Sequence, residues 1–293
     1  MWSPSEQAST NVPPTEAPVA TGLDVASIAS GLERRELGVW FARGQQTVSY
    51  PPHGNADCFA IEDRSFWFRH RNRCIIDLVR RFPPTGTLLD IGGGNGFVAR
   101  GLLDAGIPCA LLEPGVDGAL AASARGVEPV ICATLESAGL SACSLSAAGL
   151  FDVIEHIEDD VGVLREVWRL IKPAGALFLT VPAYQFLYSR DDEVAGHYRR
   201  YTLRSLGRAL TEAGFRTAFA SYIFAPLPPL VFLSRTVPSW LGLRHGDIDA
   251  DSHTQRGLAG HLLDLLLDLE YAAIQTGRVL PVGGTCLCVA VKD

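Results

Sequence analysis

Two acids, a run of glycines and two histidines are the residues of this sequence whose types and spacing could do chemistry. The segment Thr87-Leu-Leu-Asp90-Ile-Gly92-Gly93-Gly94-Asn95-Gly96-Phe97 puts an acid just ahead of glycines at 92, 94 and 96. Glycines spaced by two let a backbone turn sharply and come close to a ligand. A second acid, Glu113, closes the apolar run Ala110-Leu-Leu. A carboxylate there can accept both hydroxyls of a ribose. Gly94-Asn-Gly96-Phe-Val-Ala99 also fits the dinucleotide pattern G-x-G-x-x-G/A, so the glycines alone are weak evidence. Asp90 decides between ligands: a carboxylate at the loop's entrance repels a pyrophosphate and favours S-adenosylmethionine (SAM), which carries an ammonium and a sulfonium.

Methyl transfer to an oxygen or nitrogen of high pKa also needs a proton acceptor, and histidine is well placed for that near neutral pH. His197, in His197-Tyr-Arg-Arg-Tyr201, and His156, in Glu155-His156-Ile-Glu158, are the candidate catalytic residues. His70, beside Trp67 and Arg71, is a weaker third. The plain readings are a loop-packing residue for His197, a residue that orders a helix start for His156 and a solvated helix face for His70. Asp152 and Glu155 are read as organising the cofactor edge rather than as acid–base groups. No cluster of His, Cys, Asp or Glu has metal-ligand spacing, so no metal is expected.

These residues need elements to position them. Short apolar runs at Thr87–Ile91, Pro108–Glu113, Glu128–Cys132, Ser146–Asp152 and Ala176–Val181 read as strands. Helical patterns lie between them at Gly96–Ala105, Val116–Arg125 and about 160–171. Leu203–Ala213, Arg216–Tyr222 and Thr285–Val291 continue the series as helix, strand and strand. Strands alternating with helices imply a parallel sheet covered on both faces, with ligands at the carboxyl ends of its strands. Phe66–Phe82 carries helical spacing and stops at Pro83-Pro84. Its aromatic lead-in, Phe66-Trp67-Phe68, reads as a staple onto the sheet, or else as a lid. The rhythm breaks from 223 to 281, read as a cap over the acceptor site. The expected organisation is therefore a loose segment at 1–35, an extension with a helix at 36–83, a SAM-binding core at 84–222, the cap at 223–281, and a last core strand at 282–293.

The pattern Asp90-x-Gly-x-Gly-x-Gly followed by Glu113 resembles class I SAM-dependent methyltransferases. Leu150-Phe-Asp152-Val-Ile-Glu155-His156-Ile-Glu158-Asp is similar to the segment after their fourth strand. Leu170-Ile-Lys-Pro-Ala-Gly-Ala-Leu-Phe-Leu-Thr-Val-Pro182 resembles their LKPGG turn and fifth strand. The run from His197 to Leu206 resembles a loop of one broad bacterial branch. The matches cover about residues 65 to 222, in order. The resemblance implies an α/β, Rossmann-like, doubly wound and mostly parallel seven-stranded sheet whose last strand is antiparallel. It implies SAM as cofactor, held by Asp90, Gly92, Gly94, Gly96, Glu113, Thr134, Leu135 and Asp152. Two positions depart from it: Ala174, where Gly is usual, and Ala133-Thr134, where an acid more often precedes the adenine contacts.

Composition narrows the partners. The net charge of −7 argues against a sequence-independent grip on nucleic acid. Small molecules, glycans and lipid-linked acceptors stay open. Seven cysteines with no CxxC pair read as buried, reduced thiols of a cytoplasmic protein, and no secretory signal is apparent. The cap is apolar, with Phe224, Leu227, Leu230, Val231, Phe232, Leu233 and Trp240 close together. Arg235 and Arg244 lie nearby, so residues 223–243 are a candidate for peripheral membrane contact. Two rival functions use the same elements, an NAD(P)-dependent oxidoreductase and a non-catalytic SAM-binding module. Asp90 counts against the first. Intact Asp90, Gly92, Gly94 and Glu113 point to a retained cofactor pocket.

Overall fold

Strands with apolar residues on both faces can only be buried between two layers of helices. The computed structural model, which describes residues 22–35, 38–43, 62–63, 65–241 and 258–293, has that form. Its strands are β1 (Leu32–Arg34), β2 (Trp40–Ala42), β3 (Leu88–Ile91), β4 (Cys109–Leu112), β5 (Val130–Cys132), β6 (Leu145–Phe151), β7 (Ile171–Pro182), β8 (Arg216–Ile223) and β9 (Thr285–Val291). They form one sheet in the order β1-β2-β5-β4-β3-β6-β7-β9-β8. From β2 to β7 neighbours run parallel, and β9 runs antiparallel between β7 and β8. The expected seven strands are therefore present, with the last one antiparallel. The sheet is wider than expected, because β1 and β2 extend it beyond β5.

The helices are α1 (Val25–Ile28), α2 (Phe66–Arg81), α3 (Phe97–Asp104), α4 (Val116–Ala124), α5 (Asp160–Leu170), α6 (Arg190–Ala195), α7 (Leu203–Glu212), α8 (Leu227–Val231), α9 (Val237–Trp240) and α10 (Leu258–Gln275). Side chains alternate across each strand. Leu89 and Ile91 therefore pack with Leu164 and Val167 of α5 and Leu206 and Leu210 of α7. Leu88 and Leu111 pack on the other face with Ile75 of α2, Leu102 of α3, Ala119 of α4 and Leu267 of α10. Strand order reverses about β3, so the loops leaving β3 and β6 diverge and open a crevice at their carboxyl ends.

Two details differ from the sequence reading. Residues 22–35, expected to be loose, form α1 and β1, and Val25 is buried in the core. Residues 1–21 lie outside the described residues. Cys74, Cys109, Cys132, Cys286 and Cys288 are buried free thiols, but Cys143 is exposed; Cys58 lies outside the described residues. The segment 223–281 holds α8, a π-helical turn at Phe232–Thr236, α9 and α10. Arg244 lies outside the described residues, as do the side chains of Arg235 and Trp240.

The Lys172-Pro-Ala-Gly175 turn lies inside β7, and Ala174 adopts φ +62. That left-handed conformation costs an L-residue about 1–2 kcal/mol, while glycine adopts it freely. Ala174→Gly is expected to raise stability by about 1 kcal/mol, since the glycine also adds some unfolded-chain entropy. Urea denaturation checks this, and an unchanged or lowered midpoint would contradict it.

Candidate active site at the carboxyl edge of the sheet

The glycine loop leaves β3 with Gly92, Gly94 and Gly96 at φ +71, +53 and +76. Gly96 caps α3, and a β-carbon there would lie 2.8 Å from that of Ala122. This contact explains why the loop packs flat on α4. A β-carbon on Gly92 would lie 3.0 Å from Val153, so the loop also borders the turn after β6.

Two acids face this loop from adjacent strands. Glu113, just past β4, accepts the amides of Gly94 (2.9 Å) and Gly115 (2.8 Å). Asp90 is 1% exposed, and no side chain among the described residues donates a hydrogen bond to its carboxylate; only the Ala99 backbone favours its charge in that way. Burial, opposed by Arg71 and reinforced by Glu113, pushes its carboxyl up to about 7. Arg71 reaches in from α2, buried, with its guanidinium over the rings of Trp67 and Phe68. It pairs with Asp152 past the end of β6, and Asp152 also accepts the Thr180 hydroxyl at 2.9 Å. Thr134 and Leu135 follow β5. The Thr134 hydroxyl and amide both bond Ser137, 2.9 Å away, in a tight turn.

A second cluster lies a few residues further on. Glu155 and His156 belong to the 3-10 turn Ile154–His156. His197 follows Gly196, the left-handed C-cap of α6, and its ring meets that of His156 with centroids 4.6 Å apart. Glu155 is wholly buried without a hydrogen bond from any side chain among the described residues, and burial, opposed by its own backbone amide and by Arg71 and Arg200, pushes its carboxyl up to about 8. Burial and the neighbouring His197 push His156 down to about 4. Asp192 holds the His197 Nδ1 at 2.8 Å and receives Arg200 through Nε (2.7 Å) and a terminal nitrogen (2.9 Å). Burial raises Asp192, but these bonds outweigh it and hold its carboxyl at about 2. The rest of the His197–Tyr201 run is a clamp. The Tyr198 amide bonds the Glu155 carbonyl at 2.7 Å, Arg199 bonds the Glu158 carbonyl at 2.6 Å, and Tyr201 gives its hydroxyl to Asp160 at 2.7 Å.

A model of the methyltransferase domain family matches residues 67–218, more than half of the chain. The chain belongs to the methyltransferase domain family. This methyltransferase is an enzyme, and its cofactor is SAM. A protein of Mycolicibacterium smegmatis named "Probable S-adenosylmethionine-dependent methyltransferase" is 24% identical over 233 residues, covering 77% of this chain and 85% of that one. Among solved structures, a SAM-dependent methyltransferase of Thermotoga maritima aligns with TM-score 0.51 and 19% identity, over 81% of this chain and 94% of that one. Phosphoethanolamine N-methyltransferase 2 of Haemonchus contortus, in complex with SAM, aligns with TM-score 0.53 and 16% identity, over 87% and 62%. These likenesses are of fold. The family assignment decides against the oxidoreductase reading.

The residues present fit SAM. A buried carboxylate with no side-chain donor, beside a glycine cradle, is what a cationic ligand would complete. The structure brings Asp90, Gly92, Gly94, Gly96, Glu113 and Asp152 to one edge of the sheet, and Thr134 and Leu135 to the end of neighbouring β5. It brings His156 and His197 together but not His70. That residue is buried between α2 and α10, with its Nε2 2.7 Å from Glu270, rather than on a solvated face. Sequence reasoning missed Arg71 as the cation of the cofactor edge. It also missed Asp192 as the partner of His197, although Ser189-x-x-Asp192 signals a helix start.

Proposed function

We propose that this methyltransferase transfers the SAM methyl group to an oxygen or nitrogen of a small-molecule, sugar or lipid-linked acceptor at the carboxyl edge of the sheet. The observation that carries this reading is the buried Asp90 carboxylate, without a side-chain donor, at the glycine loop, with an oriented histidine pair past the end of the neighbouring strand. SAM supplies a methyl already activated by its sulfonium, so the chain's work is chiefly orientation, worth on the order of 7–11 kcal/mol in well-aligned reactions. Asp90 faces the ammonium end and Glu113 accepts the ribose hydroxyls. Thr134 and Leu135 border the adenine, and Asp152 is held for the cofactor edge by Arg71 and Thr180. His197 and His156 are assigned to the acceptor's proton, with Asp192 fixing the His197 ring. The segment 223–281 is assigned to the acceptor side. Phe232 lies 6.1 Å from Phe186 in the segment after β7, and the Arg190 amide bonds Ser239 at 3.1 Å.

Calorimetry with SAM tests the cofactor part. Glu113→Ala is expected to weaken binding at least tenfold, since each hydrogen bond to a charged acceptor contributes about 1.5–3 kcal/mol. Unchanged affinity would remove Glu113 from the site.

An apolar or lipid-linked acceptor is favoured by one observation. Phe186, Leu230, Leu233 and Leu241 are more than half exposed on this side of the molecule. Among the described residues no helix is long and apolar enough to cross a membrane, so contact would be peripheral. Flotation with anionic and neutral vesicles is expected to carry the protein upward. Retention in the soluble fraction on both would favour a water-soluble acceptor.

A further inference from the structure

Three side chains that the sequence keeps apart meet beyond the end of β6. Glu155 and His156 share a 3-10 turn, and His197 arrives from the far side of α5, β7 and α6. One ligand atom of each lies within 4.8 Å of the others. An ion bound tetrahedrally by N and O atoms at about 2.1 Å keeps its ligands about 3.4 Å apart. Side-chain adjustments of about 1 Å or a little more therefore close the set.

Two further observations point to a ligand here. The Glu155 carboxylate is 0% exposed, and no side chain among the described residues donates a hydrogen bond to it; its own backbone amide and the charges of Arg71 and Arg200 are what favour its ionised form. A carboxylate buried with so little direct support costs free energy that a bound cation would offset. In addition, Asp192 takes the His197 Nδ1 at 2.8 Å, and Arg200 and the Ser189 amide hold Asp192 in turn. A carboxylate behind a histidine fixes the ring and frees Nε2, which is how imidazole ligands are oriented toward metals.

We propose that Glu155, His156 and His197 bind a divalent first-row transition-metal ion that takes up a hydroxyl of the acceptor. The proposal rests on the methyl-transfer reading and makes the histidines ligands, acting on the acceptor's proton through the ion. Two imidazoles with one carboxylate suit ions from Mn2+ to Zn2+ better than Mg2+ or Ca2+. Three protein ligands leave a coordination position open. The acceptor oxygen enters that position, its O–H bond breaks and the proton passes to water. An oxygen lone pair then forms the C–O bond as the methyl carbon leaves the sulfonium. The sulfur keeps the bonding pair, the cofactor leaves as S-adenosylhomocysteine, and the ion is unchanged. The metal went unread in the sequence because two adjacent ligands and a distant third make no spacing signature.

The test uses the untagged full chain, stripped with a chelator and titrated with Zn2+ and Co2+ by calorimetry, with Co2+ visible absorption in parallel. One ion per chain is expected, with a Co2+ band shifted from that of the aqueous ion. Glu155→Gln and His197→Ala are each expected to weaken binding at least a hundredfold, and Asp192→Asn about ten- to a hundredfold. SAM affinity, measured in the same variants, reports that they fold. If His197→Ala does not fold, the Co2+ spectrum of the parent decides. A parent without a shifted band, affinities unchanged in the Glu155 and His197 variants, or Mg2+ binding as tightly as Co2+ each overturns the proposal. Failure of the parent to bind SAM would sink the methyl-transfer reading and leave the metal result to be judged by itself.

Discussion

Asp90→Asn is expected to give a protein that is more stable than the parent at pH 8 without cofactor, and that no longer binds SAM. The carboxyl of Asp90 is pushed up to about 7 in the folded chain, with burial the largest cause. In an unfolded chain an aspartate titrates near 3.9. Between those values the folded state holds a proton that the unfolded state has lost, so stability falls as pH rises from about 4 to 7. Above pH 7 the loss is complete, on the order of 4 kcal/mol at about 1.4 kcal/mol per unit. Asparagine removes that charge but buries an amide, which returns about 1–3 kcal/mol of the gain. A net rise of about 2 kcal/mol at pH 8 is expected, shrinking toward pH 4. Thermal melts at pH 4, 6 and 8 check it, and parallel curves for parent and variant would refute it. SAM repeats the argument from the ligand's side. Its ammonium calls for ionised Asp90, so the parent's SAM affinity should fall about tenfold per unit as pH drops below 7. The variant should show neither that slope nor a SAM-induced rise in melting temperature.

What was legible in the sequence follows from what each residue's position depends on. Cys109–Leu112 is an uninterrupted apolar run and Leu88–Ile91 is one broken by Asp90 alone, both buried on both faces, and such runs read as parallel strands without tertiary information. Asp90 and Glu113 follow directly, because one is the single acid near the carboxyl end of its run and the other comes immediately after its run. β1 and β2 are three residues each and carry charged neighbours. They are strands through pairing, with Trp40 opposite Ile131 and Phe41 opposite Cys132, and no local pattern announces that. Ala174 departs from the family's glycine, and its φ of +62 is the physical reason that glycine is usual there.

The site divides in the same way. The glycine loop and its acids belong to contiguous segments. The cluster of Glu155, His156 and His197 does not: it needs His197 to return over the turn after β6. No spacing rule reports that a carboxylate is buried without a side-chain donor. Arg71 was equally hidden, since a helix face that looks solvated in the sequence turns out to cover the cofactor edge once α2 docks with Trp67 and Phe68. Along α10, Leu263 and Leu267 are buried, whereas Leu262, Leu265 and Leu269 are exposed, so one face of its leucines meets the core.

The same docking makes Glu270 the residue whose loss should destabilise the chain most. It lies on α10, is buried, and holds three donors at once. Its Oε1 receives the His70 Nε2 at 2.7 Å and the Phe224 amide at 2.6 Å, and its Oε2 receives the Ala225 amide at 2.6 Å. On the other side of the ring, Arg73 gives Nε to the His70 Nδ1 at 3.0 Å, so Nε2 carries the hydrogen that Glu270 accepts. Phe224 stands at φ +63, a strained conformation for a bulky residue, and its ring stacks on Trp67 at 5.7 Å. Glu270 thus joins α10, α2 and the start of the 223–281 segment through one carboxylate. Glu270→Ala leaves a histidine N–H and two backbone amides buried without an acceptor. Each such group costs about 1–3 kcal/mol, and a total of about 4 kcal/mol or more is expected. Glu270→Gln keeps one good acceptor and turns the other into a clashing donor, so a loss of about 2 kcal/mol is expected, between the alanine variant and the parent. Urea unfolding gives the ranking, and hydrogen exchange at the Phe224 and Ala225 amides should quicken in both variants while exchange in β3 and β4 of the alanine variant tracks its global stability. An alanine variant within 1 kcal/mol of the parent would mean that these donors find water instead, and that α10 is held to α2 by its leucines alone.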